Sequence, residues 1–232
     1  MSRLFREHLA LNPGEHEADL DDLLINDILA LNGKPSIHQM RKLAERARER
    51  SQPEPDPERL LQEYQRRLDQ SIEERSRKLA QPGAMPNEFI VHGARLLVEK
   101  LRHRGLTLII LSGTVEHRVR EEAHLLGLAG YFGPHIYGSG EVDFSKKRVI
   151  DRLVHEENIE GKHLLSFGDG PVEISNTKEI GGLAIAVASD ENENGSGKMD
   201  PWKRKQLLQA GADAVIADYR DADELLKLIF GR

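Results

Sequence analysis

Leu164-Leu-Ser-Phe-Gly-Asp-Gly-Pro-Val-Glu173 is a short apolar run that ends abruptly in glycine, a carboxylate, glycine and proline. His163 to Phe167 reads as a strand buried on both faces, and the Gly-Asp-Gly-Pro that follows stops it and opens a helix. The same grammar repeats on both sides. Leu106 to Leu111 is another continuous apolar run, followed by Ser112-Gly113-Thr114, and further strands are predicted at His135–Tyr137, Leu183–Ala188 and Ala214–Ala217. Amphipathic helices are predicted between them, over Ile90–Arg104, Glu116–Leu126, Lys146–Glu156, Trp202–Gln209 and Asp223–Phe230. Apolar strands alternating with amphipathic helices predict an α/β fold with a parallel sheet covered on both faces. In such sheets, ligands bind beyond the carboxyl ends of the strands.

Residues 1 to 85 read differently. Leu20, Leu23, Leu24, Ile28 and Leu31 recur at helical spacing, with Gly33 as a stop. Ser36 and Gln39 have the spacing of a capping box opening a helix from Ile37 to Arg50. Prolines 53, 55 and 57 break the helical pattern, and a third helix is predicted from Glu58 to Ala80. No strand-like alternation occurs there. Two domains are therefore expected: an all-helical one over 1–85 and an α/β core over 86–232.

Composition excludes several classes. A net charge of −6 with well-mixed signs argues against a nucleic-acid partner, and the arginine-rich stretch 41–50 interleaves its bases with Glu45 and Glu49 as a solvated helix does. No apolar run is long enough to cross a membrane, no signal peptide is visible, and a cytoplasmic location is the expectation. With no cysteine, thiolate metal sites and disulfides are excluded. His117 and His124 lack metal-ligand spacing. The polar loop Ser189–Lys198 is expected to be exposed and mobile.

Three polar groups stand at predicted strand ends or helix starts. Ser112, Gly113 and Thr114 can offer a hydroxyl and backbone N–H groups to an anion, or simply cap the next helix. Asp169 and Glu173 are hard oxygen donors that suit Mg²⁺, or are dipole-stabilised acids in a first helical turn. Lys146, with Lys147 beside it, opens a helix where the dipole disfavours cations, as a nearby anion would require; a solvated pair is the other reading.

In chain order, these groups resemble the second, third and fourth motifs of the haloacid dehalogenase superfamily. The resemblance covers about residues 86 to 232. It implies a three-layer Rossmann-like core and a Mg²⁺-dependent phosphatase acting on a small phosphorylated substrate. Ser112 would bind the transferring phosphoryl group with Gly113 and Thr114, and Lys146 (Lys147 as runner-up) would be the motif lysine. Asp169 and Glu173 would hold the metal. Residues 1–85 would be most of a helical cap.

The family's first motif, an apolar strand ending in Asp-x-Asp, has no match. The one Asp-x-Asp, Asp19-Leu-Asp21, lies in a helical pattern. The nucleophile is therefore expected to be missing, and the chain, read as N-terminally truncated, to be inactive alone. The absent strand would be central, between those ending at Ser112 and Phe167, leaving them about 9.6 Å apart rather than about 4.8 Å. It could come from upstream sequence or another chain, or the sheet could close up. A non-catalytic phosphate- or metal-binding or interaction module is the alternative.

Overall fold

The computed structural model describes residues 1–31, 35–140, 145–156 and 158–231 (of Leu29, the backbone alone). Gly33 and Lys34 lie outside the described residues. The chain forms two compact units, Met1–Arg77 and Lys78–Arg232.

The first unit is helical: α1 Ser2–His8, α2 Glu17–Ala30, α3 Ile37–Glu49 and most of α4, Pro57–Leu79. Its core joins Leu4, Phe5 and Leu9 to Leu20 and Leu24, to Met40, Leu43 and Ala47, and to Leu60. Helix α4 buries Leu60 but leaves Leu68 44% exposed. Helix α1 was not expected from the sequence. Asp19 and Asp21 are exposed on α2, and Asp21 pairs with Arg6 at 2.9 Å. The capping box at Ser36 does not form: Ser36 makes no side-chain cap. Gln39 is buried instead and donates its Nε2 to the Ile28 carbonyl at 2.9 Å, closing the C-terminal end of α2. Carbonyls in the last turn of a helix lack their full set of intrahelical partners, and this side-chain donor adds to the Leu31 N–H that Ile28 already accepts. Ion pairs fasten the surface of the unit. Arg50, with a side chain only 9% exposed, holds Glu15 through two hydrogen bonds of 2.6 and 2.7 Å.

The second unit alternates helix and strand: α5 Ala94–His103, β1 Ile110–Val115, α6 Glu116–Leu125, α7 Ala129–Phe132, β2 Ile136–Ser139, α8 Lys146–Glu156, β3 Leu165–Gly168, α9 Pro171–Glu179, β4 Leu183–Val187, α10 Pro201–Gln209, β5 Ala214–Ile216 and α11 Ala222–Phe230. Every strand pair is parallel. The ladder comes in two parts, β1 with β2 and β3-β4-β5 with β4 in the middle. One helix-backed cluster serves both parts: Leu97 and Leu101 of α5 with Ala222 and Leu226 of α11 pack against Leu106 and Leu108, which lead into β1, and against Phe167 of β3.

Two boundaries differ from expectation. The helix placed at Ile90 begins at Ala94, because Gly93 sits at φ +79° and a Cβ there would lie 2.4 Å from the Tyr219 carbonyl oxygen. The strand placed at Leu106–Leu111 pairs only from Ile110 onward and runs through Ser112, Gly113 and Thr114 to Val115. The loop at Ser189–Lys198 is exposed over much of its length but tied down. Asn194 accepts from His92 N and donates to the Ile90 carbonyl, Arg220 donates to the Gly195 carbonyl, and Ser196 donates to Asp190.

Candidate active site

The Gly-Asp-Gly turn connects β3 to α9. Gly168 closes the strand, Asp169 is exposed, and Gly170 is the N-cap of α9, with Pro171 in its first turn. Proline is suited to that position because its missing N–H would be an orphan anyway. Gly170 has no side chain to cap the helix, so Glu173 reaches back and accepts the Gly170 N–H at 2.9 Å through Oε1. Both glycines are needed for this. A Cβ on Gly168 would lie 2.3 Å from the Glu173 Cγ, and one on Gly170 would lie 2.9 Å from Oε1. The other carboxylate oxygen, Oε2, accepts from Lys146 Nζ at 3.0 Å. This pair is half-buried, the side chains being 23% and 18% exposed.

The structure therefore brings Lys146, from the start of α8, onto Glu173, from the start of α9, beside Asp169. Lys147 turns away to Glu179 at the far end of α9. Ser112, Gly113 and Thr114 occupy an irregular stretch of β1: Leu111 pairs with Tyr137 and Val115 with Ser139, so three residues face one. Bulges of this kind re-aim side chains and are common beside functional sites. Ser112 Oγ accepts from Thr114 N at 3.1 Å, which leaves its O–H to donate elsewhere. Helix α8 packs against both β1 and α9, placing the bulge and the turn on elements that share a neighbour. Among the described residues, no hydrogen bond joins Ser112, Gly113 or Thr114 to Lys146, Asp169 or Glu173, and no three acidic or histidine side chains converge as a ready-made metal cage.

Tyr219 is a neighbour the sequence did not point out. It follows β5, donates its backbone N–H to the His92 carbonyl, and sets its ring edge-on to Phe167 with centroids 5.8 Å apart. Burial raises its phenol pKa, and the charge of Asp169 raises it further. An isolated tyrosine after the last strand carries no spacing that could have announced this. On β3 itself, Ser166 Oγ is buried without a hydrogen-bond partner, unlike any other side-chain atom among the described residues.

A model of the haloacid dehalogenase-like hydrolase family matches residues 5–181. The chain belongs to this family. A phosphoserine phosphatase from Campylobacter jejuni subsp. doylei is 24% identical over 151 residues, which span 60% of this chain and 65% of that one. Thus the match spans slightly less than two thirds of the curated relative. Among solved structures, a haloacid dehalogenase-like protein of unknown function from Agrobacterium tumefaciens aligns with a TM-score of 0.60 and 18% identity, covering 90% of this chain and 92% of that one. A family hydrolase from Deinococcus radiodurans, solved with bound phosphate and sodium, aligns with a TM-score of 0.59 and 16% identity over 98% and 88%. The Rossmann-like α/β architecture is thereby that of the family. Among the described residues, no helix is long and apolar enough to cross a membrane.

Proposed function

We propose that this chain carries most of the active site of a Mg²⁺-dependent phosphatase for a small phosphorylated substrate, with the nucleophilic carboxylate carried outside these 232 residues. The observation that supports it is the Lys146–Glu173 pair beside Asp169, at the carboxyl end of β3. A cation held half-buried at a strand end is placed to neutralise phosphoryl oxygens. Ser112 would donate its O–H to the same group, and Gly113 and Thr114 would supply backbone contacts.

The donor chemistry fits Mg²⁺, which binds through one or two carboxylates and keeps several waters. Asp169 would be a direct ligand. Glu173, whose orientation is fixed by Gly170 and Lys146, would hold it directly or through water. When bound, the ion supplies charge neutralisation on the transferring group. The cation of Lys146 shares that work, and its bond to Glu173 fixes where it stands.

Asp19 and Asp21 do not supply the nucleophile in this reading, because they sit on the exposed face of a helix. Without that carboxylate the chain has phosphate and metal ligands but no group to attack, and loss of one member of a catalytic unit removes nearly all of the acceleration. The first unit would act as the substrate-selecting cap.

The test compares two proteins with p-nitrophenyl phosphate and Mg²⁺. The 232-residue chain is expected near background. A chain extended by upstream coding sequence that ends an apolar strand in Asp-x-Asp is expected to turn over and to stop when EDTA is added. In the extended protein, Lys146→Ala should lower kcat/KM by about 100-fold or more. A silent extended chain, or a Lys146→Ala variant as active as its parent, rejects the reading.

A further inference from the structure

A tyrosine packed by its ring usually finds a partner for its hydroxyl. Tyr131 does so, donating to Glu99 at 3.0 Å. The Tyr219 hydroxyl makes no hydrogen bond among the described residues, yet its ring is held firmly. The ring packs against Leu97 and Leu101 of α5 and Ala222 and Leu226 of α11. It stands edge-on to Phe167, with centroids 5.8 Å apart and planes at 73°. The backbone is fixed on both sides. Tyr219 N–H donates to the His92 carbonyl at 2.9 Å, and the next N–H, that of Arg220, donates to the Asp218 carboxylate at 3.0 Å. The Tyr219 carbonyl lies so close to Gly93 that a Cβ there would stand 2.4 Å from its oxygen. A side chain locked in this way presents its hydroxyl in one place.

That place is the end of β3. Asp169 comes two residues after Phe167, the spacing that returns a side chain to the same face of an extended chain. Its charge is felt at the Tyr219 phenol. Asp169 is exposed and, like the phenol, makes no hydrogen bond among the described residues. In contrast, Glu173 is oriented twice, by Gly170 N–H and by Lys146. One strand end thus carries an unmatched donor and an unmatched acceptor. We propose that Tyr219 is a positioning residue for Asp169, its hydroxyl donating to the carboxylate oxygen that a bound divalent cation leaves free. The proposal rests on Asp169 as a metal ligand and deepens that reading. Hydrogen bonds to the ligands of a metal fix their orientation, and losing one costs about 10–100-fold in affinity. A phenol suits the task, because apolar packing holds its ring and a neutral donor adds no charge to repel the cation.

The probe is Mn²⁺, which suits the same oxygen-donor sites as Mg²⁺ and is followed by loss of the free ion's paramagnetic resonance signal. The 232-residue protein is titrated beside Asp169→Asn, Tyr219→Phe and Tyr219→Leu, and each is also melted without metal. Asp169→Asn should abolish binding. Tyr219→Phe keeps the ring, and should bind about tenfold or more weakly while melting no earlier than its parent. Tyr219→Leu loses the edge contact with Phe167 as well, and should melt earlier but bind no worse than Tyr219→Phe. Equal affinity in Tyr219→Phe and its parent overturns the positioning role and leaves the metal site standing. A loss of affinity seen only in Tyr219→Leu also overturns it, since packing of the ring would then be the cause. If the parent takes up no Mn²⁺, or Asp169→Asn binds as well as the parent, the metal reading falls and the role of Tyr219 falls with it.

Discussion

Strands β1 and β4 begin from nearly the same material and end in different states. Leu106-Thr-Leu-Ile-Ile-Leu111 and Leu183-Ala-Ile-Ala-Val-Ala188 are both uncharged six-residue apolar runs. The second is paired on both sides and its interior is sealed; the first pairs over its last two residues and stays half-exposed. Hydrophobicity made both segments strand candidates, but neighbours decided how much of each became sheet. Burial in a parallel sheet belongs to the pair of flanking strands as much as to the residue.

Removing packing atoms tests this most strongly. Ile185, 3% exposed in β4, should cost about 3 kcal/mol when truncated to alanine, whereas Ile109→Ala should cost about 1 kcal/mol, read by urea unfolding. Equal losses would mean that the two runs are equally packed in solution, and the contrast would collapse. A smaller effect probes the joint between the halves, where Lys146, after β2, meets Glu173, after β3. A double-mutant cycle with Lys146→Met and Glu173→Gln should give a coupling of about 1 kcal/mol, as a partly buried pair does. A coupling near zero would remove this cross-link between the two parts of the ladder.

The smallest effect concerns the helical unit, where ion pairs on the surface surround an apolar core. Hydrogen bonds from the Arg50 guanidinium and then from Asn12 N hold the Glu15 carboxyl at about 2, against an ordinary 4.5. Those from Arg66 and Arg67 hold Glu63 at about 2. Both pKa values are depressed on folding, so their stabilisation is complete above the unfolded value and is lost as pH falls toward 2. Far-UV ellipticity should therefore decline between about pH 5 and pH 2, and Glu15→Gln should weaken that dependence. An unchanged profile in the variant would show that the pair contributes nothing to the acid response.

Much of this could be read from residues alone, and the failures have a common cause. The β3, β4 and β5 runs and the helices around them follow from apolar runs punctuated by glycine and proline. The chain order of Ser112, Lys146, Asp169 and Glu173 was legible because strand ends concentrate polar groups. What was not legible depended on partners distant in sequence. Gln39 could not be assigned to the Ile28 carbonyl from a local cap pattern. The start of β1 depended on a neighbour that reaches only Ile136. Tyr219 became part of the site surroundings through Phe167, and Glu173 folded back because two glycines left room for it.

The Asn194 side chain takes the place of a peptide unit. It accepts from His92 N and donates to the Ile90 carbonyl, as a neighbouring strand would do to residues i and i+2 of an extended segment. It also precedes Gly195 in the chain, the arrangement in which an asparagine amide is most easily lost to hydrolysis. There the Gly195 nitrogen can displace ammonia from the side chain to give a succinimide, which water opens to aspartate or isoaspartate, and either product lacks the N–H that held the Ile90 carbonyl. The clasp that steadies the approach to α5 would then have a finite chemical lifetime.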